Sequence, residues 1–159
     1  MELRKLVCEL ISISAIHRYR ITKSASSVGL YFGQPMILDY VLQHDACTQK
    51  ELAEAMHISA ASIAVSIKRI EKAGLITRTP DETDSRKNHL SVTQKGKDAF
   101  MEFRKICDAT DEAMFRDFTP EERETLHRLL VRLHNNLDSE KLTREEIRKI
   151  LNKEAFDND

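Results

Sequence analysis

Apolar residues recur at helical spacing along most of this chain. Over residues 3–20, Leu3, Leu6, Val7, Leu10 and Ile11 fall on one stripe with Ser14, which predicts a first helix. The stretch ITKSASSVGLYFGQP breaks the pattern with Ser and Gly and is expected to be a loop. MILDYVLQH restores it as a second helix, with Ile37, Tyr40, Val41 and His44 on one side. Thr48 opens a third through a capping box: Thr48 accepts from the backbone, Glu51 reaches back, and Leu52, Ala53 and Met56 form the apolar set. After the short turn HIS, Ser59 is a good N-cap for a fourth helix, and Gly74 ends it as a left-handed residue past the last turn. LITRT and NHLSVT read as two short strands, joined as a hairpin by the polar PDETDSRK. A long helix over 94–117 places Phe100, Phe103, Cys107 and Met114 along one face. Thr119, Pro120 and Glu122 then restart the chain as a capped helix carrying Leu126, Leu129, Leu130, Leu133 and Leu137. Thr143 and Glu146 make a further box, with Leu142 and Ile147 spaced as a hydrophobic staple. The final helix, over about 143–155, is expected to bury Ile147, Ile150 and Leu151.

The fold class that follows is mainly α. A helix–turn–helix followed at once by a hairpin is the winged form of that motif, here over residues 34–97. The flanking helices, within 1–33 and 98–159, carry more apolar surface than a small winged unit can cover. They are expected to pair with a second copy as a dimerisation region. With 4 Gly and 3 Pro in 159 residues, the composition agrees with a helical chain able to bury a substantial core. No window of 18 apolar residues is present, and LVCELISISAI is short, interrupted by Glu9 and without a small-residue cleavage site. Cys8, Cys47 and Cys107 are odd in number and widely spaced, which argues against a disulfide framework and for a reducing cytoplasm.

The formal net charge of −1 hides a pattern. Residues 1–58 hold 6 basic and 6 acidic groups, residues 59–97 hold 8 and 4, and residues 98–159 hold 11 and 16. The middle segment is therefore basic within an acidic chain, which suggests a local anion-binding face. At about 100° per residue, Ile67 and Ile70 lie within about 40° of Ile63 and fix a buried face. Ala61, Val65 and Lys72 lie opposite, flanked by Lys68 and Arg69. This outward face is smooth at its start and basic at its end. In a DNA major groove, Ala61 and Ala64 would allow close approach, Val65 would touch thymine methyls, and Ser59 and Ser62 would bond to a base or phosphate. Lys68, Arg69 and Lys72 would neutralise phosphates, and Gln49 in the first turn of the third helix is a further candidate DNA contact. Arg86 and Lys87 stand at or near the hairpin tip, where an Arg can enter a narrow minor groove. Asp84, two residues earlier, is spaced to orient the Arg86 guanidinium.

The stretch 48–96, TQKELAEAMHISAASIAVSIKRIEKAGLITRTPDETDSRKNHLSVTQKG, resembles the MarR family of bacterial transcription regulators. The resemblance rests on TQKELA, the recognition helix ending in IEKAGLI, the Asp84-x-Arg86 wing and LSVTQKG, and extends in outline over 3–137. It implies an obligate dimer that binds double-stranded DNA at a pseudo-palindromic operator. It also implies an effector bound between the dimerisation and DNA-binding regions. Two features depart from it. Many members have a basic residue where Val65 stands and a polar one where Ala64 stands, and the helix after Ser139 runs past the family's usual end.

Three sensing chemistries are open. Some relatives carry a reactive cysteine near the place of Cys8, where Arg4 and Lys5 are close in sequence; a buried packing role suits Cys8 equally. His44, Cys47 and His17 could supply metal ligands, and His127 and His134 share a helix face, but the spacings form no zinc signature, so no metal or cofactor is expected. His17, Tyr31, Phe32 and Tyr40 could line a pocket for a small-molecule effector, or simply pack. Gly-rich phosphate loops, paired-histidine metalloprotease motifs and nucleophile elbows are all absent from the sequence, so an enzyme is not expected. The alternatives are a winged-helix protein-interaction module, or a redox- or metal-sensing regulator using Cys8 or His44 and Cys47.

Overall fold

A computed structural model of the chain describes residues 2–31, 33–81, 87–143, 146–147 and 149–150. Helices α1 (Leu3–Ser27) and α2 (Gln34–Gln43) are followed by a two-residue strand, β1 (Cys47–Thr48). Next come α3 (Gln49–Met56), α4 (Ala60–Lys72) and the strands β2 (Ile76–Pro80) and β3 (Asn88–Val92). Helices α5 (Gln94–Met114) and α6 (Pro120–Leu137) complete the order. The strands form one antiparallel sheet in the order β1-β3-β2, with Cys47 opposite Leu90 and Ile76 opposite Val92.

The caps act as the sequence indicates. Thr48 Oγ1 accepts from Glu51 N–H at 3.2 Å while Glu51 Oε2 accepts from Thr48 N–H at 2.7 Å. Ser59 Oγ accepts from Ser62 N–H at 3.1 Å and starts α4. At the other end Gly74 has φ of 74°, and Leu75 N–H donates to Ile70 O at 3.1 Å, the Schellman closure that left-handed backbone allows. Thr93 ties the wing to α5, donating through Oγ1 to Gly74 O at 2.7 Å and accepting from Gly96 N–H at 3.0 Å.

The core sits inside this winged unit. Ile63, Ile67 and Ile70 of α4 are wholly buried, with Ile37, Leu38, Leu52, Ile76 and Leu90 beside them. Phe100 of α5 and Ala25 of α1 close one side. No helix of the described residues is long and apolar enough to cross a membrane.

Four expectations need correction. The first helix ends at Ser27 rather than residue 20. The serines read as loop-formers return their hydroxyls within the helix, Ser26 to Lys23 O at 2.6 Å and Ser27 to Ser24 O at 2.7 Å. The chain turns only where Gly29 takes φ of 73°. The short strand β1 has no counterpart in the sequence pattern; it is entered through Ala46 at φ of 60°. The long helix stops at Met114, where Phe115 and Phe118 pack edge to face at 5.7 Å. Finally, Ile150 is half exposed rather than buried, although the Thr143–Glu146 box forms with a 2.7 Å bond. Leu151 lies outside the described residues.

The flanking helices keep their apolar stripes open. Leu3 is 80% exposed, Leu6, Val7, Leu10 and Ile11 are exposed with it, and α6 contains no buried residue at all. Leu126 is half-buried, whereas Leu129, Leu130, Leu133 and Leu137 face solvent.

Candidate nucleic-acid interface

Burial of its isoleucine face presents the rest of α4 outward. Ala61, Ala64 and Val65 are exposed, as are Lys68, Arg69 and Lys72; Val65 is 53% accessible. Ser59 and Ser62 are coupled at 2.9 Å between hydroxyls, so one hydroxyl proton remains for an external acceptor. The basic end of the helix is held in place from behind. Arg78 of β2 lies 2.9 Å from Glu71, and Lys95 Nζ donates to Ala73 O at 2.7 Å. These two cations are thereby tied to the fold behind α4, while Lys68, Arg69 and Lys72 lie on its exposed side.

Gln49 stands in the wall of a broad cleft of about 840 Å³ between the start of α3, the start of α4 and the wing, with Lys50, Ala60, Lys87 and Asn88. Its Nε2 is buried and has no partner among the described residues. A buried amide donor left unpaired is unfavourable, so an acceptor from outside would improve this site. Lys87 is exposed at the hairpin edge, where Asp81 N–H donates to Lys87 O at 3.1 Å. Asp84 and Arg86 lie outside the described residues.

Sequence reasoning missed His89 of β3. Its Nδ1 lies 2.6 Å from Ala46 O and its Nε2 2.8 Å from Asp81 Oδ2. Carbonyl and carboxylate oxygens only accept, so a ring bonded to both carries a proton on each nitrogen. Those bonds to Asp81 and Ala46 raise its pKa above the usual histidine value, against a smaller effect of burial. The side chain joins the base of the wing to the turn before α3. A lone histidine in a five-residue strand gives no signal of this in sequence.

A second cavity, of about 400 Å³, lies between α1, α2 and α5. His17 and Tyr31 line it, as expected, but Tyr40 does not: its ring stacks on His44 at 4.2 Å. Phe32 lies outside the described residues. Ile21, Met36, Phe100 and Phe103 make the walls apolar, and Arg18, Asp39 and Arg104 add charge at their edges. His17 Nε2 is 2.8 Å from Asp111 Oδ1, a link between α1 and α5.

The sensing alternatives find little to build on. Burial, then the nearby Glu51, pushes the Cys47 thiol up to about 11, far from a ligating thiolate. His44 Nδ1 is engaged with Tyr40 O at 3.0 Å. Among the described residues no group of three His, Cys, Asp or Glu side chains is placed to hold a metal. His127 and His134 are exposed on α6. Cys8 is exposed rather than packed, on the open stripe of α1.

Comparison with known proteins agrees with this geometry. Residues 28–87 match the model of the MarR family. The uncharacterised HTH-type transcriptional regulator YybA of Bacillus subtilis is 31% identical over 106 residues, covering 67% of this chain and 71% of that protein. The crystal structure of MarR superposes with a TM-score of 0.64 at 28% identity, over 82% of this chain and 96% of the other. A point mutant of S. aureus MepR, solved bound to an oligodeoxyribonucleotide, gives a TM-score of 0.66 at 20% identity over 87% of this chain and all of the other. The chain belongs to the MarR family, and it is a winged helix-turn-helix, DNA-binding transcription regulator.

Proposed function

We propose that two copies of this chain bind one pseudo-palindromic operator and repress transcription, and that a small-molecule effector controls the binding. Residues 34–97 form the DNA-binding region, and the helices of 1–33 and 98–159 form the dimerisation region. The observation that carries the reading is the outward face of α4: small and apolar at its start, cationic at its end, and backed by three wholly buried isoleucines. Ala61, Ala64 and Val65 meet base edges in the major groove, while Lys68, Arg69 and Lys72 meet phosphates. Gln49 donates its unpaired amide to the DNA backbone, and Arg86, oriented by Asp84, enters the minor groove beside Lys87. The MepR mutant bound to an oligodeoxyribonucleotide, which shares this fold, supports DNA as the partner.

The effector enters the cavity of about 400 Å³ between α1, α2 and α5. Its walls suit an apolar or aromatic molecule. Filling it alters how α2, and with it the helix–turn–helix, sits on α1 and α5. The protein acts in the cytoplasm, where its cysteines stay reduced, and it has no catalytic role. The reading is tested by selecting bound fragments from genomic DNA and titrating salt against the best of them. Affinity should fall linearly on a log–log plot with a slope near −0.9 per phosphate contact. Binding that ignores salt would point instead to an apolar protein partner for the Ala61–Val65 face.

A further inference from the structure

The first two turns of α4, residues 60–66, contain no charged side chain and no Asn or Gln, so none of the groups that pair bidentately with a base edge is present. Their hydrogen-bonding capacity toward the outside is small. Ser59 Oγ accepts from Ser62 N–H at 3.1 Å and shares one proton with Ser62 Oγ at 2.9 Å, so the pair has a single proton left to give. Ser66 lies about 60° from Ile63 around the helix and is half-buried. A lone hydroxyl bonds to any base and discriminates little.

What this face offers instead is carbon. Val65 is the only exposed large hydrophobic side chain among the described residues of 34–97; the others stand on the flanking segments. Branching at Cβ holds a helical valine in one rotamer, so its two methyl groups present a fixed apolar surface. Ala61, one turn earlier, and Ala64 beside it are too short to hold the helix off a groove. Lys68 and Lys72 follow on the same side, about 4.5 and 10.5 Å further along the axis. Glu71, the only acid on α4, is turned to Arg78 at 2.9 Å and does not oppose them. A helix held on phosphates by its C-terminal lysines therefore sets Val65 against base edges. The one apolar group that base pairs show in the major groove is the C5-methyl of thymine.

We propose that Val65 is the specificity-determining residue of this helix and that it selects operator positions carrying a pyrimidine C5-methyl group. 5-Methylcytosine holds the same carbon on the same ring position, so the contact does not separate it from thymine, and methylation of a cytosine standing there strengthens binding. The inference rests on the reading that α4 enters the major groove.

The full chain is titrated by fluorescence anisotropy against a duplex selected from genomic DNA. Copies of that duplex carry deoxyuridine at each thymine in turn, which keeps the base pairing and removes only the methyl group. At one or two thymines per half-site the affinity should fall about fourfold, the worth of one buried methyl. Val65→Ala, at an exposed position, should bind the thymine and uracil duplexes within about twofold of each other. With a C·G pair at the same position, methylating the cytosine should recover affinity by about the same fourfold factor. Uracil tolerated at every thymine would overturn the methyl contact. A loss that persists undiminished in Val65→Ala arises from duplex shape or another residue and overturns the assignment to Val65. Equal affinity for cytosine and 5-methylcytosine, where thymine and uracil differ, would remove the extension to the modified base. A chain that retains no duplex even at low salt loses the groove reading as well, an outcome distinct from equal binding of thymine and uracil duplexes.

Discussion

Val65 sits half open to solvent on the side of α4 opposite three fully buried isoleucines, where a purely structural helix would more often place a charge. Its exposure makes it a clean probe of the interface, because changing it leaves the core untouched. Val65→Glu should reduce operator affinity by more than about tenfold, through repulsion from phosphates and lost close approach, with thermal stability unchanged. Fluorescence anisotropy and a melting curve on the same sample check both halves; equal affinity would remove this face from the mechanism. His89 offers a second residue-scale test. Its folded pKa is raised, first by the Asp81 bond and then by the bond to Ala46 O, with Asp81 and Glu51 as nearby negative charges. Its contribution is therefore full below the unfolded histidine value of about 6.5 and is lost as pH rises through the higher folded value. Stability should fall as pH rises from about 6.5 through the folded value, and His89→Gln should flatten that slope, because glutamine cannot donate to both acceptors in a pH-dependent way. An identical pH profile in the variant would show that the imidazolium does not latch the wing.

At Gly96, in the first turn of α5, the helix lies tight against the wing. A Cβ there would lie 2.1 Å from Leu75 O and 2.7 Å from Val92 Cγ1, and the first of these is backbone, which cannot swing aside. Gly96→Ala should therefore destabilise the fold by about 2 kcal/mol or more, read from the midpoint of urea unfolding, despite alanine's better helix propensity. A neutral or stabilising effect would mean that α5 leaves the wing less tightly than described. The elements themselves were largely legible in sequence. Capping boxes at Thr48 and Thr119 and the end at Gly74 are written in side chains that bond within three or four residues, so local pattern reports them faithfully. For α1 and β1, where sequence reading failed, contacts distant in sequence contribute. Ala25 is buried in the core and keeps a serine-rich segment helical, and β1 exists only because Leu90 and His89 arrive from more than forty residues away. The interface follows the same rule. The face of α4 could be drawn from helical geometry alone, whereas the His89 bridge and the displacement of Tyr40 from the cavity depend on tertiary placement.

The whole molecule presents a contrast between a closed winged unit and flanking helices whose leucines have no cover. Leu3 and Leu137 are more than three-quarters exposed, and Leu6, Leu10, Leu129, Leu130 and Leu133 are exposed to a lesser degree along α1 and α6. Burying one such side chain contributes roughly 1.5–3 kcal/mol, so the two stripes together hold enough free energy to drive association. A second copy is the simplest cover, because a two-fold axis buries each stripe twice and sets two α4 helices at a fixed separation. In the proposed dimer, DNA affinity would depend on the helices of 1–33 and 98–159 without their touching DNA, because linking two half-site contacts turns the second into an intramolecular step. Leu133→Glu, exposed on α6, tests this without disturbing the core. Because symmetry places the change on both sides of the contact, sedimentation velocity should show monomer at micromolar concentration while circular dichroism keeps the helical signal. Operator affinity should fall by about a hundredfold, within the range that loss of linkage allows, and binding should become indifferent to whether the site holds one half or two. Deleting 139–159 should weaken the dimer in the same assay, to a smaller degree. A Leu133→Glu protein that stayed an equally tight dimer would move the contact away from α6 and leave α1 alone to carry it.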